Sequence, residues 1–86
     1  MEEITRILQA QFPGAQICFE RDENTKYISG SVIWAGFRGV SFLERDRMVM
    51  NPLRVALGER ANEINMISPY TPKEEKAMWD VDHLTP

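Results

Sequence analysis

FRGVSFLERDRMVMNPL, residues 37–53, decides how the rest of the chain folds. Ahead of it, residues 28–34 read as a strand that ends at Ala35-Gly36, a turn signal. Phe42, Leu43, Val49 and Met50 recur at helical spacing and are expected to turn inward, leaving Arg45 and Arg47 to project from the surface. Two positions apart, the arginines point to different sides of a helix and form no single fork. Asn51-Pro52 reads as an N-cap followed by proline at the first helical position, so a second short helix is expected from Pro52. That helix would pack Leu53, Val55 or Ala56, and Leu57, and end at Gly58 as a C-terminal glycine. The pair would form a short helix-turn-helix.

Upstream, Ile4, Leu8 and Phe12, with Ile7 beside them, make one stripe of a first helix, and Pro13-Gly14 stops it. Ala15, Ile17 and Phe19 alternate with Gln16, Cys18 and Glu20, the pattern of a half-buried strand. Residues 21–26 are polar and turn-forming. In the second strand Ile28, Val32 and Trp34 share one face, and Tyr27 and Ile33 the other. Gly30 in its middle predicts a bulge or the close approach of another backbone. Downstream, residues 61–67 read as a third strand, Ile64 and Met66 alternating with Asn65 and Ile67. Thr71-Pro72-Lys73-Glu74 matches a capping box and opens a last helix through Trp79. The expected fold is α+β, in the order α-β-β-α-α-β-α, a three-stranded mixed sheet with helices on one face. Residues 1–80 form the single domain and 81–86 a tail.

The 86 residues suffice for one domain with a modest core, at 43% hydrophobic content. The N-terminal stretch, with its two glutamates, is not patterned as a secretory signal, and no apolar run reaches membrane-spanning length. A lone cysteine, Cys18, gives no internal disulfide and no zinc spacing, which suits a reducing, cytoplasmic setting. The net charge of −3 argues against strong generic binding to nucleic acid or anionic membrane. Residues 38–62 nevertheless carry five arginines against three carboxylates, a local +2.

Catalytic chemistry needs a positioned nucleophile, base, metal or cofactor, and the sequence offers none of these in a recognisable pattern. His83 is the single histidine and lies in the expected tail. Cys18 reads as a small buried or half-buried hydrophobe, and Glu74/Glu75 and Asp80/Asp82 as caps or solvated pairs. There is no phosphate-binding loop, no dinucleotide fingerprint and no Ser/His/Asp set. Gly36-Phe37-Arg38-Gly39 fits the bare Gly-x-x-Gly pattern with which KH domains clamp nucleotides, but here it joins a strand to a helix, and a turn accounts for both glycines. Trp34 and Trp79 read either as core or as anchors for a partner. The residues available for recognition are Trp34, Arg38, Gly39, Arg45, Arg47 and Arg54. The arginines could meet a carboxylate or a phosphate.

Phe37, Gly39, Ser41, Arg45, Arg47, Val49 and Leu53 together resemble the signature of the BolA family, with Asp46 where most members carry a histidine between the arginines. The threonine step at Thr71 resembles a second family feature. The resemblance implies the BolA architecture, similar to the type II KH fold. It also implies a non-enzymatic role in iron homeostasis, in stress-linked control of cell shape, or in transcriptional regulation. The partner it implies is a monothiol glutaredoxin, with which the family shares a two-iron two-sulfur cluster. The family's cluster histidine, counted back from Thr71, falls on Glu63, and its second ligand falls within residues 21–26, which hold neither Cys nor His. A divergent member that binds no cofactor of its own is therefore expected, docking a glutaredoxin or another protein. The alternative is a DNA- or RNA-binding module that uses the basic helix-turn-helix.

Overall fold

Alternating and helical hydrophobic patterns become six principal elements in a computed structural model, which describes the backbone of residues 1–84 and the side chains of residues 1–78. They are α1 (Glu2–Gln11), β1 (Gln16–Arg21), β2 (Ile28–Ile33), α2 (Phe42–Leu57), β3 (Ile64–Tyr70) and α3 (Pro72–Leu84). The sheet has the order β1-β2-β3, with β1 antiparallel and β3 parallel to the central β2, so it is mixed. Two short 3-10 segments, Ala35–Phe37 and Gly58–Glu63, flank α2.

The core is filled by Ile4, Leu8 and Phe12 from the first helical stretch, Ile28 and Val32 from β2, and Val49, Met50 and Leu53 from α2. Phe37 lies fully buried among them. Phe12, Trp34 and Phe37 meet with ring centroids 5.0–5.4 Å apart, mostly edge to face, the arrangement favoured by the ring quadrupole. The Trp34 indole N–H also donates to the Pro13 carbonyl at 3.1 Å, tying the turn after α1 to the end of β2. Gly36 is needed there, because a Cβ at that position would run into the Trp34 ring. Gly30 has the same cause: a Cβ would meet the Cys18 carbonyl and the Phe19 ring of the neighbouring strand.

Three expectations change. First, α2 is one helix of 16 residues that passes through Pro52, so there is no second helix and no helix-turn-helix. Arg45, Val49, Met50 and Leu53 form one continuous buried stripe, and breaking the helix at Asn51 would take Leu53 off it. Burying a leucine is worth about 1.5–3 kcal/mol, enough to offset much of the roughly 3 kcal/mol that an interior proline costs. Within α2, Phe42 and Leu43 are exposed, as is Val55, while Arg45 takes the inward position expected of a hydrophobe. The helix does end at Gly58, which has a positive φ of 59°.

Second, β3 begins at Ile64 and runs through Ser68-Pro69 to Tyr70. It is an edge strand, where proline is tolerated because its missing N–H interrupts no ladder. Ile28 pairs with Ile64 but Ser29 pairs with Met66, so Asn65 is an extra residue. That bulge resets the alternation: Ile64 and Ile67 pack against the core, and Met66 is exposed. Third, α3 continues to Leu84, into the stretch read as a tail. The side chains of Trp79 and His83 lie outside the described residues.

Candidate functional site

Arg45 is 3% exposed, contrary to its expected place on the surface. Its Nε donates to the Val40 carbonyl at 2.8 Å, and Nη1 donates to the Pro69 carbonyl at 3.1 Å. Nη1 and Nη2 grip the two Glu74 carboxylate oxygens at 2.6 and 3.1 Å. The Phe42 ring covers the guanidinium, its centroid 4.4 Å from Cζ. Four of the five guanidinium N–H groups are thus spent inside the molecule. Glu74 in turn accepts from the Thr71 N–H at 2.8 Å, while the Thr71 hydroxyl accepts from the Glu74 N–H at 3.2 Å, closing the capping box read from the sequence. Arg45, with the Thr71 N–H second, holds the Glu74 carboxyl down at about 2. This cluster joins α2, the end of β3 and the start of α3. It is a structural clamp.

The remaining recognition residues separate. Arg47 is exposed and lies 3.6 Å from Glu44. Arg54 borders a shallow depression with Asp46, Met50 and Asn65. Trp34 is half-buried with its N–H already engaged. Arg38 and Gly39 are exposed and line a cavity of ≈450 Å³ with Ala35, Thr71, Pro72, Lys73 and Glu74. Sequence reasoning missed Lys73 as a partner of Arg38, since 34 intervening residues hide that the loop after β2 faces the start of α3. Arg60 pairs with Glu3 at 3.1 Å. Of the five arginines in the basic segment, only Arg38 and Arg54 stay both exposed and without a carboxylate partner among the described residues.

At the opposite end of the sheet, Glu63 immediately precedes β3. Its carboxylate accepts from Arg21 Nη1 at 2.8 Å, and the same nitrogen donates to the Lys26 carbonyl at 2.6 Å. Asp22 orders the loop, its Oδ1 accepting from the Asn24 and Thr25 N–H groups at 2.7 and 2.9 Å, which lowers its pKa. An ion pair therefore joins the two places where the family resemblance would put cluster ligands. A carboxylate engaged by a guanidinium is a poor donor for iron–sulfur iron, which takes thiolate or imidazole. These residues do not fit such a cluster. Among the described residues, no three His, Cys, Asp or Glu side chains gather where a metal ion could be held.

The sheet face away from α1 and α2 carries Cys18, Ser31 and Ser68 in one cross-strand row. Cys18 is exposed there, rather than buried or half-buried. Glu75 and Met78 of α3 border the same face and share a cavity of ≈380 Å³ with this row, Ile33 and Tyr70. No helix in the described residues is long and apolar enough to cross a membrane.

No protein-family model matches the sequence, and no curated protein does. Among solved structures, the chain is similar to BolA1 from Arabidopsis thaliana, with a TM-score of 0.62 and 20% identity over 85% of this chain and 92% of that one. It is also similar to a Bol-like protein from Babesia bovis, with a TM-score of 0.60 and 15% identity over 90% of each chain. The element order, the mixed three-stranded sheet and the parallel β2–β3 crossover through α2 are those of the BolA fold.

Proposed function

We propose that this chain is a divergent BolA protein that acts as a non-enzymatic adaptor or regulator in the cytoplasm. Its partner is a protein, a monothiol glutaredoxin in the first instance, and the setting is iron homeostasis or stress-linked regulation. The observation that carries this reading is the Arg21–Glu63 ion pair in a BolA-like fold, lying where the resemblance would put the family's cluster ligands. The fold favours docking of a partner, and the ion pair favours docking that needs no shared cluster. Nucleic-acid binding is less well supported: the single helix α2 offers no helix-turn-helix, and Arg45 is inside.

Titration of the chain with an apo monothiol glutaredoxin, and separately with DNA and RNA oligonucleotides at two salt concentrations, tests the choice. Saturable binding of the protein, with nucleic-acid binding absent or lost at moderate salt, supports the reading. Steeply salt-dependent, high-affinity binding of an oligonucleotide, weakened by Arg38→Ala or Arg54→Ala, overturns it.

A further inference from the structure

We infer that the cavity between the loop after β2 and the start of α3 is a carboxylate-recognition site for an acidic segment of a protein partner. The inference rests on the reading of the chain as a protein-binding adaptor and names the chemistry that the adaptor recognises. Arg38 comes from the loop after β2 and Lys73 from the first turn of α3, and both line the same ≈450 Å³ space. Both are exposed, and neither has a carboxylate within ion-pair distance among the described residues.

Glu74, the acidic residue on the wall, is already engaged elsewhere and is not in ion-pair contact with either cation. Its Oε1 already accepts from Arg45 and the Thr71 N–H, and its Oε2 accepts from Arg45. Its charge is balanced from beneath by a buried cation, so the cavity presents two positive charges and no free negative one. Gly39, at φ 80°, has open space where a Cβ would stand, which leaves that side accessible. Ala35 and Pro72 give small apolar surface beside the charges.

A guanidinium and an ammonium lining one cavity suit a carboxylate: the arginine fork can bind both oxygens and the lysine adds a point charge. The space is the size of a small-ligand pocket, room for one or two side chains rather than a tracked backbone. Nucleic acid would need a longer run of cations, and the whole chain carries a net −3. An acidic peptide segment is therefore the occupant.

The test uses the full chain and a fluorescent tetraglutamate peptide, with the tetraglutamine peptide and a short single-stranded RNA as comparisons. Tetraglutamate should bind weakly and saturably, and tetraglutamine should not. Arg38→Ala and Lys73→Ala should each weaken binding about fivefold, as expected for an exposed charge-assisted contact. Both variants replace exposed side chains, so their thermal midpoints should match the parent. Arg54→Ala, outside the cavity, should bind like the parent. The proposal is overturned if tetraglutamate does not bind at millimolar concentration, if the two substitutions leave binding unchanged, or if RNA binds more tightly through the same residues. A chain that binds tetraglutamate but no glutaredoxin would keep this site and discard only that choice of partner.

Discussion

Arg45 illustrates what a single position can conceal. Its place in a basic segment suggested a surface role, whereas the structure buries it against Phe42 and binds it to Glu74 and two carbonyls. Spacing placed it on a different side of the helix from Arg47, but nothing local to α2 revealed that Glu74, 29 residues on, would meet it. Arg45→Met should destabilise the fold by about 2–4 kcal/mol, since it takes a donor from two carbonyls and the balancing cation from a half-buried carboxylate. Chemical denaturation measures this directly. The Glu74 carboxyl is depressed from 4.5 to about 2 in the folded chain. Its contribution is therefore present above the unfolded value and is lost as pH falls from about 5 to about 2. Glu74→Gln removes that titration, so the variant's stability should decline less over this window than the parent's. An equal decline in both would place the acid sensitivity elsewhere.

At the scale of elements, local signals and tertiary burial disagree most at α2. The Asn51-Pro52 dipeptide carries good capping chemistry, yet the buried stripe running from Arg45 to Leu53 keeps the helix whole. Replacing Pro52 by alanine should therefore stabilise the chain by about 2 kcal/mol, the interior penalty less the entropy that proline removes from the unfolded state. Two separate helices would predict a loss instead, because the preorganised start at Pro52 would disappear. The β1–β2 hairpin, α1 and the capping box at Thr71 were legible because their patterns are local. The start of β3 was not, because the bulge at Asn65 depends on pairing with β2. Gly30 was legible as a close-approach position, and Gly30→Ala should destabilise by about 1–3 kcal/mol through its collision with Phe19 and the Cys18 carbonyl. A thermal melt reports it.

For the whole molecule, the family signature anticipated the fold, since its positions are chiefly those that build the junction: buried Phe37, Val49 and Leu53, the Ser41 cap and the Arg45 clamp. The recognition surface was less legible. Arg38 and Lys73 come together only when β3 returns the chain alongside β2. Arg21 and Glu63, 42 residues apart, likewise meet only across the assembled end of the sheet. That ion pair sets the functional expectation, a partner docked without a shared cluster. Anaerobic reconstitution with a monothiol glutaredoxin, iron, sulfide and glutathione tests it most directly, followed by visible absorbance of the isolated complex and its affinity with and without a chelator. The expected result is a complex whose affinity is indifferent to the chelator and whose spectrum shows no ligation by this chain. A complex that forms only with iron, with visible absorbance that Glu63→Ala abolishes, would contradict it.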